Sequence, residues 1–288
     1  MQDEIVARLA SALNAQLAAA EARRAELAPN PDSMDFYFQG LAWFNKGRTP
    51  DNVAQARSFF DRALLADPNN VDALIGSART NVSEGALSFV ADPAAALAAA
   101  EAKLTEALTS VPEHAYGHLF LGLVEIFTNR AVEGIAECEH ALELDRNLAN
   151  AHAAIGVGKI FIGRADETEA HVLEALRLSP RDTLAYTWLA YVGLAKNRLG
   201  DYDQAAAWFR RAIEANRNYS LPYFELAAAL VRLGQPEAAR SAVRAGLTVN
   251  PTFTIARFSA GAMSVVSTYL PGRQRIIDSM REAGVPEQ

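Results

Sequence analysis

Small and large apolar residues recur at fixed offsets along this chain, with polar residues between them. Six segments place a small residue directly before an apolar one near the end of a predicted helix. We call this small residue the anchor, and consecutive anchors lie 44, 34, 34, 37 and 34 residues apart. Periods of this length are typical of repeated supersecondary units. The pairs are Ala63-Leu64, Ala107-Leu108, Ala141-Leu142, Ala175-Leu176, Ala212-Ile213 and Gly246-Leu247.

The residues before each anchor repeat the same alternation of size. Seven residues before the anchor the side chain is short, as in Ala56, Ala100, Gly134, Thr168, Ala205 and Ala239. Three residues before it stands a larger side chain, one of Phe60, Leu104, Cys138, Val172, Phe209 and Val243. Helices whose axes approach to about 8–10 Å need short side chains at the contact and larger ones beside it. The pattern therefore predicts closely packed helix pairs.

Turn residues divide the chain into six predicted pairs. In four of the six segments a proline follows the anchor by five residues, and proline cannot continue a helix. Extra residues around 88–93 and 197–201 are expected to lengthen turns, because insertions cost least there. The predicted pairs span residues 32–69, 70–113, 114–147, 148–181, 182–218 and 219–252.

A capping helix is predicted at each end, because the outer faces of a repeat array need polar cover. Residues 3–27 carry an apolar stripe that ends before the Pro-rich residues 28–31. At the far end, residues 252–268 and 272–282 are predicted to be helical. The chain is thus divided into residues 1–30, 31–252 and 253–288. Residues 1–30 are alternatively the end of an upstream domain.

The repeated pattern resembles the tetratricopeptide-repeat (TPR) family across about residues 31–252. The resemblance implies an all-α superhelical solenoid of about six helix pairs with N- and C-terminal capping helices. It also implies that the first helices of successive pairs line a concave groove for a protein or peptide partner. The groove positions implied are Tyr37, Leu41, Phe44, Asn45, Arg79, Tyr116, Leu123, Phe127, Asn150, Phe161, Thr187, Tyr191, Phe224 and Arg232.

Two interpretations of these groove positions stay open. Aromatic rings in a groove supply contact area for an extended or helical peptide, and a few polar groups fix its register. Any single ring is alternatively a packing residue against the next pair or against the ends of the chain. One TPR subtype, which holds a C-terminal carboxylate with lysine and asparagine, is not expected, because Tyr37 and Leu41 stand at the corresponding positions.

Composition narrows the function classes. A net charge of −7 argues against a general affinity for nucleic acid. The last 84 residues, 205–288, carry ten arginines and six acidic residues, which are either a solvated face or a docking patch for an acidic partner. The single cysteine, Cys138, fits a reducing compartment, and Asp3 and Glu4 do not suit a signal peptide. With no stretch long enough to span a membrane, the expected location is the cytoplasm.

None of the candidate chemical motifs in the sequence is complete. His114 and His118 have the spacing of two zinc ligands but lack the accompanying glutamate, and we interpret His118 and His152 as packing residues. Gly156 to Gly163 has no preceding strand and no GKS/T ending, so a phosphate loop is not expected. Cys138 occupies a buried repeat position. We therefore expect no enzyme activity, no metal and no cofactor.

Several stretches have sequences that the generic repeat pattern does not account for. They resemble the C-terminal TPR regions of bacterial class III adenylate/guanylate cyclases or winged-helix transcriptional regulators. The resemblance implies a regulatory scaffold that binds a protein or peptide, or alternatively a structural element that joins protomers, with a homodimer as one outcome. The stretches are residues 2–9, 35–44, 167–171, 178–182 and 275–286.

Overall fold

A computed structural model describes residues 16–17, 19–87, 90, 92–260 and 269–288. All regular structure in these residues is helical, which confirms the predicted all-α fold. The helices are α1 (residues 19–26), α2 (Ser33–Asn45), α3 (Pro50–Ala66), α4 (Val71–Ala86), α5 (Pro93–Ser110), α6 (Ala115–Phe127), α7 (Ala131–Leu144), α8 (Ala149–Phe161), a 3-10 turn (Ala165–Glu167), α9 (Thr168–Leu178), α10 (Ala185–Leu199), α11 (Tyr202–Ala215), α12 (Leu221–Arg232), α13 (Pro236–Val249), α14 (Ile255–Ala260) and α15 (Leu270–Glu282).

The chain folds as two compact units. Unit 1 comprises the described residues of Met1–Ala154 together with Arg177–Thr183, and unit 2 comprises those of Ile155–Leu176 and Leu184–Gln288. Within unit 1, α2 pairs with α3, α4 with α5, and α6 with α7. Within unit 2, α10 pairs with α11 and α12 with α13. Each of these ten helices therefore packs first against a neighbour in sequence.

Local hydrogen bonds explain where the helices begin and end. Asp32 caps α2 by accepting from the Asp35 amide, while the Asp35 carboxylate accepts from the Asp32 amide. Thr49 and Asn70 cap α3 and α4 through their side chains. At the C-terminus of α3 the amide of Asp67 donates to the anchor carbonyl of Ala63. Equivalent bonds to the anchor carbonyls end α5, α7, α11 and α13.

The small and large positions predicted from the sequence lie in the cores of the two units. The anchor Ala63 and the small residue Ala56 are 0% exposed, and so is the Phe60 ring between them. A Cβ atom at Gly40 or Gly76 would come within 2.6 Å of this ring. The Phe60 ring therefore occupies the space that the two glycines leave open. Gly122 and Gly134 bring α6 and α7 together in the same way.

The structure differs from the sequence analysis at one insertion. Residues 197–201 were expected to lengthen a turn, but α10 continues to Leu199. Gly200 then takes the left-handed conformation, with φ 83°, and Asp201 caps α11. That expectation was wrong because Asn197 and Arg198 are retained in the helix by buried contacts with Glu225.

The capping helices are described in part. Of the leading helix predicted over residues 3–27, residues 16–17 and 19–26 are helical and residue 27 follows the helix. Residues 3–15 and 18 lie outside the described residues. Of the predicted helix over residues 252–268, α14 forms Ile255–Ala260, and residues 261–268 also lie outside the described residues. The closing helix α15 begins at Leu270, two residues before the predicted start. The division into three domains stays a prediction.

Candidate protein-binding surface

The first helices of unit 1 lie side by side. α2 contacts α4, and α4 contacts α6, while each packs on its own second helix. Their remaining surface carries aromatic and aliphatic side chains that are not fully buried. Tyr116 is 43% exposed and is the most open of them. We call this surface the unit 1 face and define it by Tyr37, Leu41, Phe44, Arg48, Arg79, Tyr116, Leu123 and Phe127.

Arg79 lies at the centre of the unit 1 face. Its guanidinium carbon stands 3.9 Å from the centroid of the Phe44 ring on α2 and 5.5 Å from that of Phe120 on α6. Phe44 is 1% exposed, so it forms the floor of the face. Arg48, which follows α2, approaches the same ring at 5.7 Å. Two cations therefore share one aromatic ring.

Neither arginine has a counter-ion among the described residues. No described carboxylate lies within salt-bridge distance of Arg48 or Arg79, and the Nε atom of each is buried without a hydrogen-bond partner. Burial, together with the positive charge of Arg48, lowers the pKa of Arg79 to about 10. Arg79 therefore stays charged at neutral pH, but its charge is poorly solvated.

Two tyrosines border this cation pair. Tyr37 is half-buried, and its ring centroid lies 5.3 Å from Phe38 and 6.1 Å from Phe60. Burial raises the pKa of Tyr37, so its hydroxyl is protonated at neutral pH and can donate a hydrogen bond. Tyr116 stacks on Phe120 at 6.2 Å. The face thus combines open rings with unpaired donors.

The other predicted groove residues of unit 1 are partly accessible. Leu41, Asn45, Leu123, Phe127 and Asn150 are all half-buried. Phe44 is buried instead, with Arg48 and Arg79 near its ring. Whether these positions bind a partner stays a prediction.

In unit 2 the predicted groove residues are mostly buried. Phe161 is 6% exposed, Thr187 3% and Phe224 0%. The Thr187 hydroxyl donates to the Leu184 carbonyl at 2.7 Å. The Phe224 ring stacks on Phe253 with centroids 3.7 Å apart, which is a packing contact.

Two further groove positions of unit 2 keep contact with solvent. Tyr191 is half-buried, and Arg232 is exposed with its guanidinium 5.6 Å from the Tyr202 ring. These two residues are therefore the accessible members of the predicted set in unit 2.

The closing helix explains this difference within unit 2. α15 packs against the first helices α12 and α10, as well as against α14. It buries Ile276, Ile277 and Met280 in the core formed by α12 and α13. Tyr269, just before α15, lies 5.5 Å from the Phe161 ring, edge to face. The chain therefore covers first-helix surface of unit 2 with its own C-terminal segment.

The histidines considered as ligands have structural partners. His114 accepts from the Gly117 amide at 3.2 Å and caps α6. His118 Nε2 donates to the Pro112 carbonyl at 2.7 Å, and its Nδ1 lies 2.6 Å from Glu137. Both ring nitrogens of His118 are thus engaged. In the part of the chain that the structure describes, no cluster of three or more metal-ligating residues is found.

Cys138 and Gly156 are packing residues. Cys138 is 0% exposed, and burial raises the pKa of its thiol. Gly156 lies within α8, where its carbonyl accepts a hydrogen bond from Thr168 at 2.8 Å.

Sequence reasoning did not identify three parts of the site. Arg48 lies in a turn outside the repeat positions, Phe120 occupies a core position of α6, and the cover by α15 joins residues far apart in the chain. For Arg48 the one signal was a second basic residue, after Lys46, next to the apolar stretch of α2. The other two depend on tertiary packing.

Family comparisons fit this arrangement. Residues 160–220 and 197–256 match two family profiles, each described as tetratricopeptide repeat. Residues 160–256 are thus similar to tetratricopeptide repeats. Such repeats generally mediate protein–protein interactions. No described helix is long and apolar enough to cross a membrane.

Several solved structures share the fold at low identity. The chain superposes on the APC/C hetero-tetramer Cut9-Hcn1 with TM-score 0.64, 17% identity, 81% of this chain and 43% of that one. It superposes on a human IFIT1 dimer with m7Gppp-AAAA with a TM-score of 0.65 and 17% identity, over 85% of this chain and 59% of that one. A thermophilic TPR protein of Thermus thermophilus superposes with a TM-score of 0.54 and 18% identity, over 69% of this chain and 99% of that one. At these identities the likeness concerns the fold alone.

Superkiller complex protein 3 of Mus musculus is 28% identical over 120 residues. The match covers 40% of this chain and 8% of that protein. The chain thus corresponds to a small part of this relative.

Proposed function

We propose that the chain is a protein-interaction scaffold whose unit 1 face binds a peptide or a partner domain. The observation that carries the proposal is Tyr116, 43% exposed on the face that also holds the half-buried side chains of Tyr37, Leu123 and Phe127. Accessible rings next to buried ones supply contact area at a low entropy cost, which is why aromatic residues dominate binding energy at interfaces. The TPR fold supports this assignment, since it offers first-helix surfaces to partners.

The proposal places the main contact in unit 1 for a physical reason. In unit 2 the helix α15 already occupies surface of α10 and α12, and it buries three large apolar side chains there. A partner would have to displace it. On the unit 1 face, Tyr116 remains 43% exposed.

The cellular setting belongs to the proposal as well. A role in bacterial signalling, beside a class III cyclase or winged-helix regulator domain, is supported by the resemblance of residues 2–9 and 275–286 alone. We infer a cytoplasmic, non-enzymatic module. A structural role in joining protomers is the alternative, and light scattering at high protein concentration distinguishes it, because that role requires a dimer.

Peptide selection tests the binding role. A phage-displayed library of random dodecamer peptides is selected on the wild-type chain, and the affinity of recovered peptides is measured by fluorescence anisotropy. We expect Tyr116→Ala and Phe127→Ala each to weaken binding roughly tenfold, as truncation of interface anchors does. Leu65→Ala and Val132→Ala are matched controls, because these apolar residues are 84% and 67% exposed on second helices.

The control variants should bind like the wild type. Recovery of no peptide, or unchanged affinity in Tyr116→Ala and Phe127→Ala, would refute binding at the unit 1 face. Circular dichroism melting of each variant ensures that a loss of affinity is not a loss of fold.

A further inference from the structure

The unit 1 face contains an arrangement of charge that the fold itself does not use. Arg48 lies close enough to Arg79 to disfavour the charge of Arg79, and the guanidinium carbons of both lie within about 6 Å of the Phe44 ring centroid. No described residue accepts a hydrogen bond from either guanidinium, and both Nε atoms are buried. Two unpaired, partly desolvated cations are unfavourable for stability, so their retention needs another reason.

Nearby carboxylates do not neutralise the pair. Asp182 attracts Arg79 electrostatically, but no ion pair of Arg79 is found among the described residues. Asp72 lies near Tyr37, but its carboxylate is 3.3 Å from His114. By contrast, Arg57 on α3 is paired with Glu84 on α4. The cation pair is therefore the part of this face that an added anion would complement.

The guanidinium carbon of Arg79 lies 3.9 Å from the Phe44 centroid and that of Arg48 lies 5.7 Å away, so both cations lie near the same ring. A guanidinium that stacks on a ring uses its flat face, whereas its N–H groups point outward in the plane and match a carboxylate. The protonated hydroxyl of Tyr37 adds a donor beside Arg79. Apolar contact surface is available on the same face, on Tyr116 and Leu123.

We propose that the unit 1 face recognises an acidic segment of a partner protein, with an aspartate or glutamate carboxylate held by Arg79 and Arg48 and adjacent apolar side chains on Tyr116 and Leu123. The inference rests on the proposed function and specifies the chemistry of its ligand. The proposed site differs from a clamp built on lysine and asparagine, because two arginines beside an aromatic ring bind the carboxylate here.

A purely structural role for Arg79 makes a different prediction. If the guanidinium only fills the space between Phe44 and Phe120, its replacement should disturb the fold and leave the ligand preference unchanged. If it binds a carboxylate, the preference for acidic peptides should disappear while the fold remains. Ligand preference therefore separates the two roles.

The test uses the same dodecamer selection on the wild type, Arg48→Gln, Arg79→Gln and the double variant. Arg62→Gln is the matched control, because Arg62 also stacks on rings, 4.1 Å from the Phe36 centroid, but is exposed on a second helix. We expect peptides recovered by the wild type and Arg62→Gln to be enriched in aspartate and glutamate. Peptides recovered by Arg79→Gln and by the double variant should lose the enrichment in aspartate and glutamate but remain enriched in apolar residues.

The strongest recovered peptide is then synthesised with its acidic residue as glutamate and as glutamine. For the wild type, the change to glutamine should weaken binding roughly tenfold or more, as loss of a charge-assisted hydrogen bond does. For Arg79→Gln the two peptides should bind equally. The inference would be overturned if the wild type recovered peptides without acidic residues, or if the double variant still preferred acidic peptides. Either result would leave the proposed function intact. Recovery of no peptide at all would overturn both.

Discussion

Replacement of Arg79 by methionine should make the protein more stable. In the folded chain the pKa of Arg79 falls from the ordinary value of arginine to about 10, a decrease of between two and three units, mainly because the side chain is removed from water and secondly because Arg48 is near. One pKa unit corresponds to about 1.4 kcal/mol, so the charge of Arg79 costs roughly 3 kcal/mol of folding free energy. Methionine removes that cost and retains contact with Phe44 through its thioether.

The expected net gain is smaller than this cost. The variant loses the stacking of the guanidinium on Phe44, which is worth about 1–2 kcal/mol at a desolvated site. We therefore expect Arg79→Met to raise the free energy of unfolding by roughly 1–2 kcal/mol at neutral pH. The free-energy cost of the lowered Arg79 pKa is fully present below about pH 10 and is lost as the pH rises from there towards the ordinary pKa of arginine. The advantage of the variant should accordingly shrink above pH 10.

Urea unfolding followed by circular dichroism measures the effect. Arg57→Met is the matched control, because Arg57 is paired with Glu84, whose side chain is only 13% exposed. Removal of Arg57 leaves that carboxylate unpaired and should destabilise the protein by roughly 1–3 kcal/mol. The reasoning would be refuted if Arg79→Met were less stable than the wild type at neutral pH, or if both variants shifted stability in the same direction.

Three further predictions concern the packing. Met280→Ala on α15 should cost roughly 2–5 kcal/mol and weaken hydrogen-exchange protection of α12, because Met280 is 0% exposed, whereas the exposed Gln274→Ala should change stability little. Gly122→Ala should lower the melting temperature clearly more than Gly156→Ala does, since a Cβ would come within 2.5 Å of a backbone oxygen at the first site and 3.3 Å at the second. Cys138 should not react with a thiol reagent in the native protein and should react fully in denaturant, because burial raises its pKa and blocks access.

Much of the fold follows from short-range pattern. The size alternation at Ala56, Phe60 and Ala63 recurs in every helix pair, and these residues are buried where the pairs pack. The signal is strong because helix formation and pairing join residues close in sequence. The candidate site was predicted less completely. Repeat position indicated Tyr37, Arg79 and Tyr116, but the same rule also selected Phe224, which the structure places in the core.

The amino-acid sequence by itself determined the all-α repeat, the helix pairs and the positions of their small contacts, because those properties depend on periodicity and on the sizes of neighbouring side chains. Tertiary structure alone decided which first-helix surface is covered and which charges lack partners. The cover by α15 and the meeting of Arg48, Phe44, Arg79 and Phe120 join different helices and turns. Such contacts depend on how separate elements pack in space, and no repeat position encodes that.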